Sequence, residues 1–362
     1  MIGDSEFMGV DKPNDQIPPL LAAASGKPPS RIPVWFMRQA GRSLPEYRQV
    51  RAGIPMLTAC LTPDLAAEIT CQPVRRHDVD GAVFFSDIVT PMKLADIEVS
   101  IEPGVGPVFA EPANSPAAIR HLTSHEITDM EPIRTAVKHV VGELGEATPV
   151  IGFAGAPFTL AAYLVEGRPS RDHLAARALM HTDPDSWDKL MTWTSALSTA
   201  FLLTQIEAGA RVVQLFDSWV GSLSAEDYRD YVAPYSTRIL TTVAERHPDI
   251  ARIHFGTNTT HLLPAMAAAG ASVMGIDHRL RLDQANALLG GTYPLQGNID
   301  PALLFAGKAL YAHTDQVLRA GRAAPGHIVN LGHGVPPTTD PQVLTDLVAY
   351  IHAQSPRDEE AQ

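Results

Sequence analysis

ATPVIGFAGAPFTLAAYLV, residues 147–165, is an uncharged apolar run that shows the structural unit from which the chain is built. At this length, an apolar run is sufficient to cross a lipid bilayer as a helix. Four residues that break helices interrupt its first half: Pro149, Gly152, Gly155 and Pro157. The flanking Glu146 and Glu166 also lack the positive charge that anchors membrane helices. The run therefore predicts a buried strand at 150–154, a tight Gly-Ala-Pro turn and the start of a helix.

Short apolar runs of this kind recur along the chain, and most of them precede a helix-like segment. The seven runs are 81–87, 149–155, 211–217, 251–256, 271–277, 293–298 and 327–332. Their hydrophobicity is continuous rather than alternating, which is typical of strands covered on both faces in a parallel sheet. An eighth strand is predicted at either 96–101 or 105–110. Eight such units favour an α/β fold with a single (β/α)8 TIM-type barrel, and a doubly wound open sheet is the alternative.

The domain organisation follows from the composition along the chain. The chain has 362 residues, of which 45% are hydrophobic and 19% are charged, as is typical of a globular protein with a substantial core. The two ends, residues 1–15 and 355–362, are polar, charged or proline-containing, and we predict that both are disordered. Residues 16–354 contain no long linker and no short-period repeat, so we predict one barrel domain with an N-terminal extension.

The charge and the cysteines exclude several classes of protein. A net charge of −12 and an isoelectric point near 5.6 argue against nucleic acid and anionic membranes as partners, because both bind extended basic surfaces. Cys60 and Cys71 are too few for a disulfide framework, and their spacing matches no zinc site. The first residues include Asp4 and Glu6 and show no apolar segment of a signal peptide. We therefore expect a cytoplasmic protein without stable membrane association.

Small and polar residues gather where the predicted strands end. These strand ends are Ser86-Asp87, Gly155-Ala156-Pro157, Asp217-Ser218, Gly256, Asp277, Gly297-Asn298 and Gly332-His333-Gly334. For any single strand, the turn that follows explains such residues. Their repetition over the strands, with the unusual sequences FFSD and LGHG among them, favours a catalytic face at the carboxyl-terminal edge of the sheet. Barrel enzymes place their active sites at this edge.

In VWFMRQAGRSLPEYRQVR, residues 34–51, a β-prone apolar run is followed by four arginines: Arg38, Arg42, Arg48 and Arg51. Arg38 and Arg42 are four residues apart with a glycine between them, which favours a shaped loop over a helix interior. The planar guanidinium group matches carboxylate and phosphate groups, so the cluster suits a ligand with several anionic groups. A solvated basic turn paired with Glu46 explains the composition equally well. In the ligand interpretation, Arg48 and Arg51 are outer support for the other two.

Several other residues have both an ordinary structural interpretation and a functional one. Asp87 follows an aromatic strand, where a carboxylate is costly to bury without donors, so it either caps the next element or holds N–H groups of a ligand. Tyr163 is either a core aromatic or a site residue, and Ser218 either caps the following segment or joins the site. His333 stands between two glycines, which allow the backbone to come close to a ligand.

Metal and nucleotide sites are not supported by the sequence. The fourteen histidines include neither H-E-x-x-H nor a Cys/His ligand spacing. The first strand is not followed by G-x-G-x-x-G, and a Walker sequence is absent. We therefore predict a polyanionic organic ligand, with no metal and no organic cofactor.

Five stretches, in this order, resemble the uroporphyrinogen decarboxylase family: PVWFMRQAGRSLPEYR, FFSDIVTPM, GFAGAPFTLAAYLVEG, QLFDSWVG and NLGHGVPPTTDP. They extend from residue 33 to residue 341, which is nearly the whole chain. The resemblance implies a single (β/α)8 barrel, usually as a homodimer with facing active sites. It also implies that the four acetate side chains of uroporphyrinogen III lose their carboxyl groups, giving coproporphyrinogen III on the route to haem, without a metal or organic cofactor.

The resemblance assigns a set of substrate-binding positions: Arg38, Gln39, Ala40, Gly41, Arg42, Tyr47, Arg51, Asp87, Tyr163, Phe216, Ser218 and His333. Four of these are the expected catalytic residues: Asp87, Arg38, Tyr163 and His333. We hypothesise that Asp87 accepts hydrogen bonds from the pyrrole N–H groups and stabilises a protonated pyrrole, while Arg38 and Arg42 bind substrate carboxylates. For the proton donor, Arg38, a water molecule and His333 remain alternatives.

Three positions depart from the family pattern. Ser43 stands where an aromatic residue is common, and Arg168-Pro169 stands where the family is often glycine-rich. His278 follows Asp277 where tryptophan is frequent. These positions concern the rim or a loop, so they bear on loop behaviour rather than on the type of reaction.

Two other functions are compatible with the same barrel. A zinc-dependent methyltransferase of the superfamily requires a His-x-Cys pair and a distant cysteine, and Cys60 and Cys71 supply neither. A non-catalytic tetrapyrrole carrier is the second alternative. It has little use for a buried carboxylate such as Asp87.

Overall fold

The computed structural model describes residues 17–127 and 129–355. The predicted disordered ends, 1–15 and all but the first residue of 355–362, lie outside the described residues. Within the described chain, no helix combines the length and apolar character that crossing a bilayer requires. The apolar run 147–165 is instead divided between a strand, Val150–Gly155, and a helix, Pro157–Glu166, as the sequence predicts.

A curled parallel sheet of seven strands forms the centre of the fold. The strands of the chain are β1 (Ala82–Val83), β2 (Val99–Glu102), β3 (Gly106–Phe109), β4 (Val150–Gly155), β5 (Val212–Asp217), β6 (Ala251–Gly256), β7 (Val273–Gly275), β8 (Leu295–Gln296) and β9 (His327–Ile328). The order in the sheet is β1-β4-β5-β6-β7-β8-β9, and each neighbouring pair is parallel. All seven predicted strands are therefore confirmed. Every residue of β4 is buried, because helices cover one face and the sheet interior covers the other.

The prediction of an eighth parallel strand at 96–101 or 105–110 is wrong. Both segments form strands, but β2 and β3 pair with each other as an antiparallel two-stranded sheet, with Val99 opposite Phe109. The physical reason is the short connection between them, since a parallel pair needs a crossover of a dozen or more residues. This hairpin lies apart from the parallel sheet.

Helices connect the parallel strands. The helices are α1 (Pro19–Ala24), α2 (Pro45–Val50), α3 (Met56–Cys60), α4 (Pro63–His77), α5 (Thr90–Leu94), α6 (Pro116–Leu122), α7 (Glu131–Leu144), α8 (Pro157–Glu166), α9 (Leu174–Thr182), α10 (Pro184–Glu207), α11 (Ala225–Tyr231), α12 (Ala233–Arg246), α13 (Leu263–Ala268), α14 (Leu282–Leu288), α15 (Lys308–Gly321) and α16 (Pro341–Ala353). Short 3-10 helices span Val220–Ser222, Thr260–Leu262 and Pro301–Phe305. Many of these helices begin with proline, whose missing N–H costs nothing in a first turn.

The segment 33–37 runs beside the two ends of the sheet. Val34 forms a parallel bridge with Val329, directly after β9, and its carbonyl oxygen accepts a hydrogen bond of 2.8 Å from the backbone N–H of Asp80, just before β1. The buried carboxylate of Asp80 holds this segment, since it accepts hydrogen bonds from the backbone N–H of Val34 at 2.8 Å and from Arg31 Nε at 2.7 Å. Nε2 of His352 lies 2.9 Å from the same carboxylate. The segment thereby directs Arg38 to the carboxyl-terminal edge of the sheet.

Polar side chains cross the interior of the curled sheet. Nε1 of Trp35 donates to Oε1 of Gln296 at 3.0 Å, and Nε2 of Gln296 donates to Oε1 of Gln214 at 2.8 Å. Gln214 belongs to β5 and Gln296 to β8, which are not neighbours in the sheet. Since these side chains meet across the interior, the sheet curls around a filled centre, as barrel-like sheets do.

Candidate active site

The predicted site residues lie where parallel strands end. Arg38 follows the segment 33–37, and Asp87 follows β1. Tyr163 lies on α8, the helix that follows β4. His333 comes two residues after Leu331, which forms a parallel bridge with Ile299 beyond the end of β9. Because the carboxyl ends of parallel strands meet at one edge of a sheet, the fold collects these four side chains there. We refer to these four residues as the candidate site.

Electrostatic interactions connect the four side chains. The positive charge of Arg38 acts on the other three residues, because it lowers the pKa of His333 and opposes the increases in the pKa of Asp87 and Tyr163. Asp87 and Tyr163 also interact, since the carboxylate helps to raise the pKa of the phenol. Such effects require short separations. The fold therefore brings all four predicted catalytic residues together.

Asp87 is held in a defined orientation by its own loop. The carboxylate accepts a hydrogen bond of 3.0 Å from the backbone N–H of Val89, and the backbone N–H of Asp87 donates to Oγ1 of Thr90 at 3.2 Å. Burial raises the pKa of Asp87, while the Val89 N–H group and Arg38 act in the opposite direction. The Oδ1 atom is thus bound to the backbone, and the remaining acceptor positions of the carboxylate are available to a ligand.

Arg38 has an unusual backbone conformation that a neighbouring glycine accommodates. Its φ is 62°, in the left-handed region that residues other than glycine rarely adopt. Gly41 allows the close approach of this turn, since a Cβ atom there would lie 3.0 Å from the carbonyl oxygen of Arg38. The residues between Arg38 and the start of α2 at Pro45 are turns and bends. The predicted shaped loop is therefore confirmed, and the Arg38 side chain is exposed within it.

His333 is a neutral imidazole at neutral pH. It is exposed at the rim, but surrounding protein groups desolvate its ring, and the charges of Arg38, His278 and Arg279 act in the same direction. Together these effects lower the pKa of His333 to about 4. At pH 7 only roughly one imidazole in a thousand would then carry a proton on both nitrogens.

Tyr163 belongs to an aromatic stack that the sequence did not indicate. Its ring centroid lies 3.8 Å from that of Trp219, and the Trp219 centroid lies 4.4 Å from that of His173. Trp219 follows β5, whereas the buried His173 precedes α9. Burial raises the pKa of Tyr163, with a further contribution from Asp87. The stack joins a catalytic candidate to the loop that contains Arg168-Pro169, and only the tertiary fold brings its members together.

The other arginines of the loop have different environments. Nη1 of Arg48 donates to the carbonyl oxygen of Arg42 at 2.7 Å, so Arg48 supports the backbone of the loop. The guanidinium carbon of Arg51 lies 5.5 Å from the ring centroid of the buried Tyr47, and both side chains contact the sulfur of Met56. Arg42 is exposed. Arg48 and Arg51 thus contact the protein itself, and their role as outer support of a ligand clamp stays a prediction.

The alternative interpretation of the arginine loop is not what the structure shows. Glu46 was its expected partner, but the Glu46 carboxylate binds Arg76 of α4 through a two-pronged contact at 2.6 and 2.8 Å. Partial burial is the largest single effect on the pKa of Glu46 and raises it. The ion pair with Arg76 and a hydrogen bond from the backbone of Glu46 outweigh this effect, so the pKa is lowered. The loop arginines therefore do not form a turn neutralised by Glu46.

Gln39 differs from its neighbours in the same loop. Its side chain is completely buried, accepts a hydrogen bond of 2.8 Å from the backbone N–H of Phe36 and donates one of 2.9 Å to the carbonyl oxygen of Gly81. The amide therefore anchors the loop to the segment before β1. Any contact of Gln39 with a ligand would involve its backbone. Ala40 is half-buried at the same turn.

Phe216 and Ser218 occupy the end of β5. The half-buried ring of Phe216 packs edge-to-face against Phe153 and Phe255, at centroid distances of 5.4 and 6.1 Å. The carbonyl oxygen of Ser218 accepts a hydrogen bond of 2.6 Å from Oγ1 of Thr257. The next element, the 3-10 helix Val220–Ser222, begins without a side-chain cap. The capping role considered for Ser218 is thus not observed.

No metal centre is found in the part of the chain that the structure describes. Within residues 17–127 and 129–355, no three or more His, Cys, Asp and Glu side chains form a group that could hold a metal ion. Cys60 and Cys71 are both buried free thiols. Burial raises the pKa of each, that of Cys71 to about 12, so both stay protonated. They pack as small hydrophobic residues.

Gly334→Ala is expected to reduce activity with little loss of stability. A Cβ atom at this position would lie 2.5 Å from Cδ and 2.8 Å from Cγ of Arg38, so the flexible arginine must move away. We expect kcat/KM to fall about tenfold, because small displacements of a positioning group weaken catalysis. The free energy of unfolding should change by less than about 1 kcal/mol. Steady-state kinetics and thermal unfolding of the variant measure both quantities.

Gly142→Ala is the matched control for this substitution. Gly142 lies in α7, and a Cβ atom there would meet no other atom within 4 Å. This variant should keep wild-type kinetics. Equal activity of Gly334→Ala and the wild type would show that Arg38 does not need its present position.

The chain is similar to proteins of one family along nearly its whole length. Residues 15–354 match the family model described as uroporphyrinogen decarboxylase (URO-D). A relative from Arthrobacter sp. (strain FB24), named uroporphyrinogen decarboxylase, is 59% identical over 339 residues, covering 93% of this chain and 97% of the relative. A relative of the same name from Thermobifida fusca (strain YX) is 54% identical over 336 residues, covering 92% of each chain.

Solved structures with a similar fold have much lower sequence identity. A methyltransferase from Methanosarcina mazei has a TM-score of 0.73 at 17% identity, covering 92% of this chain and 96% of its own. A B12-independent methionine synthase from Shewanella sp. W3-18-1 has a TM-score of 0.54 at 10% identity, covering 80% and 87%. At these identities the likeness concerns the fold alone.

Proposed function

The chain belongs to the uroporphyrinogen decarboxylase family, and we propose that the candidate site carries out the family's reaction. The protein is accordingly a carboxy-lyase that acts on uroporphyrinogen. We propose the III isomer as substrate and coproporphyrinogen III as product. The observation that supports the site most strongly is that Arg38, Asp87, Tyr163 and His333 gather at one edge of the sheet, with Gly334 beside His333 in contact with the Arg38 side chain.

The substrate itself supplies the chemistry that a cofactor would otherwise provide. Loss of CO₂ from an acetate leaves an electron pair that needs an acceptor. Protonation of a pyrrole ring carbon gives an iminium-like cation, which takes up the electrons of the breaking C–C bond as CO₂ departs. Protonation of the resulting exocyclic methylene carbon and loss of the ring proton yield a methylpyrrole. Each step therefore exchanges one CO₂ for one proton, and the reaction proceeds without a metal or organic cofactor.

In this proposal, Asp87 stabilises the cation. Its oriented carboxylate accepts hydrogen bonds from pyrrole N–H groups, and the negative charge lies where positive charge develops in the ring. A raised pKa weakens this role only if Asp87 becomes protonated, and the nearby Arg38 favours the charged form. The arrangement is preorganised, because the Val89 N–H group holds the carboxylate before substrate binds.

The arginines bind the carboxylates of the substrate. Arg38 and Arg42 are exposed in a loop whose backbone is fixed by Arg48 and Gln39, so their guanidinium groups are free to form two-pronged contacts. The rings of Tyr163 and Phe216 provide apolar contacts for the macrocycle, Ser218 lies on the loop after β5, and the buried Tyr47 of α2 packs behind the arginine loop.

For the proton donor, the electrostatics favour a water molecule bound to Arg38. A guanidinium group is a very weak acid and does not release its own proton readily. Without substrate, desolvation and the nearby positive charge of Arg38 lower the pKa of His333 to about 4, which disfavours it as the proton donor. We assign the neutral His333 to hydrogen bonding with the substrate.

We also propose the larger architecture from the family and from the contacts of segment 33–37. This segment occupies the position of an eighth strand between β9 and β1, which would close residues 16–354 into one (β/α)8 catalytic domain. As in the family, two copies would associate as a homodimer in the cytoplasm. Light scattering of the purified protein gives the mass that tests the dimer.

An anaerobic assay with uroporphyrinogen III tests the function. The products should carry seven, six, five and finally four carboxyl groups, which liquid chromatography separates after oxidation to the porphyrins. Folded protein that leaves the octacarboxylate unchanged would remove the assignment. A carrier would bind the substrate without turnover, and a methyltransferase would need bound zinc, so the same preparation distinguishes both alternatives.

A further inference from the structure

Arg279 lies at the same edge of the sheet as the candidate site. It follows β7, and β7, β8 and β9 are consecutive neighbours in the sheet. Its side chain is about half exposed, with a relative accessibility of 52%. In this region the family resemblance marked only the preceding His278 as a departure from the family pattern. The proposed reaction leaves Arg279 without a role.

A buried carboxylate fixes the orientation of Arg279. Asp277, of which only 4% is exposed, accepts hydrogen bonds from the backbone N–H of Arg279 at 3.0 Å and from its Nη1 at 2.8 Å. The same carboxylate accepts the backbone N–H of Asn258 at 2.5 Å. In addition, Nδ2 of Asn298 donates to the carbonyl oxygen of Asp277 at 2.8 Å, so residues from three strand ends hold this aspartate. An arginine positioned by a rigid partner loses little entropy when it binds a ligand.

Contacts between loops connect Arg279 to the candidate site. The backbone and Cβ of His278 lie so close to Gly332 that a Cβ atom on this glycine would be 2.6 Å from Cβ of His278. Two residues later, Gly334 lies against the side chain of Arg38. His333 is therefore flanked by Arg38 on one side and by the His278-Arg279 turn on the other.

The charge of Arg279 reaches His333. It contributes to the lowered pKa of His333, after desolvation and the charges of Arg38 and His278, and its effect is larger than the opposite effect of Asp277. The contact between His278 and Gly332 places this turn beside His333.

We propose that Arg279 is a further substrate-binding residue, whose free guanidinium N–H groups hold a peripheral carboxylate of the porphyrinogen beside His333. This proposal rests on the proposed function and extends its set of binding residues. A guanidinium has five N–H groups. Within residues 17–127 and 129–355, Nη1 of Arg279 donates to Asp277, and its Nε and Nη2 groups have no hydrogen-bond partner. Uroporphyrinogen carries eight carboxylates around a wide ring, and Arg38 and Arg42 lie on a single loop. A cation on the other side of His333 would bind carboxylates that this loop does not reach.

The simpler interpretation is that Asp277 and Arg279 form a structural ion pair. Asp277 already accepts backbone N–H groups of residues 258 and 279, so it remains satisfied without the guanidinium. The guanidinium is half exposed, and the buried carboxylate keeps its two backbone donors, so loss of this ion pair should cost little stability. Removing the Arg279 side chain should therefore change substrate binding more than folding.

The test compares Arg279→Ala, Arg279→Lys and Arg281→Ala with the wild type. Arg281 is the control, since it is also exposed and pairs with an aspartate, Asp283, at 2.9 Å, but it is the N-cap residue of α14 and lies outside the His278-Arg279 turn. We expect Arg279→Ala to raise KM for uroporphyrinogen III about tenfold. Its kcat should stay within about twofold of the wild type, because the contact is present before and during the reaction. Arg279→Lys should recover part of the affinity, and Arg281→Ala should match the wild type.

Two further measurements sharpen the result. Fluorescence titration with uroporphyrin III, the oxidised ring with the same eight carboxylates, measures binding without turnover. Coproporphyrin III retains the four propionates and no acetate. If Arg279→Ala also loses affinity for coproporphyrin III, Arg279 binds a propionate, and a loss confined to uroporphyrin III would assign an acetate.

Defined outcomes would overturn the proposal. A wild-type KM and uroporphyrin affinity in folded Arg279→Ala would show that the residue does not bind substrate. An equal loss in Arg281→Ala would attribute the effect to the overall charge of the region. If the wild-type protein itself shows no turnover, the proposed function fails, and the uroporphyrin titration still decides whether Arg279 binds a carboxylate.

Discussion

Asp87→Asn is expected to abolish nearly all turnover, with a loss in kcat of about a thousandfold. The amide has the same shape and can still accept the hydrogen bond from the Val89 N–H group, so the loop should keep its conformation. What the variant loses is the negative charge that stabilises the protonated pyrrole. Single-turnover kinetics under anaerobic conditions measure the effect, and uroporphyrin titration should show that binding remains.

Asp249→Asn is the appropriate control for this experiment. Asp249 is exposed and immediately precedes β6, so it lies at the opposite edge of the sheet from Asp87. Its substitution should leave kcat and KM unchanged. Turnover by Asp87→Asn close to that of the wild type would refute the role assigned to the carboxylate, while the family assignment would stand.

Arg38→Lys is expected to reduce kcat/KM by about a hundredfold, which corresponds to ~3 kcal/mol of lost transition-state stabilisation. Lysine keeps the positive charge but replaces the planar fork of donors with a compact ammonium group, so it cannot form two-pronged carboxylate contacts. Arg38 also interacts with Asp87, Tyr163 and His333, and a misplaced charge changes all three. We therefore expect both a lower kcat and a higher KM.

Arg42→Lys and Arg322→Lys provide a graded comparison. Arg42 is exposed on the same loop but does not act on Asp87, so its substitution should raise KM with a smaller effect on kcat. Arg322 follows α15 on the far side of the sheet and should be silent. If Arg38→Lys changes only KM, as Arg42→Lys does, Arg38 binds the substrate but does not take part in the proton transfer.

The predicted strands show which parts of the fold local sequence determines. Continuous apolar runs such as 211–217 identify strands covered on both faces, and all seven are present in the parallel sheet. The failure concerns the eighth. Segments 96–101 and 105–110 have strand-like sequences, but their short connection forces them into a hairpin. Segment 33–37, which lies beside β9 and β1, has only one bridge of its own.

The candidate site likewise has residues that the sequence is sufficient to place and contacts that it does not predict. Asp87 and His333 stand directly after predicted strands, so the rule that strand ends meet at one edge is sufficient to bring them together. No such rule predicts that Trp219 stacks between Tyr163 and His173, because the three rings come from different connections. Gln39 shows the converse, since its place in the loop sequence suggests a ligand contact, whereas its side chain is enclosed by backbone groups.

The sequence by itself therefore determined the α/β class, the seven parallel strands, the family and the residues available for chemistry. Each of these depends on local patterns of hydrophobicity and on residue types at strand ends. Only the tertiary structure decided that β2 and β3 pair as an antiparallel hairpin, that Glu46 pairs with Arg76, and that His278 lies against Gly332. These outcomes depend on contacts between residues far apart in the chain, and a local pattern does not specify which distant group will occupy the space beside it.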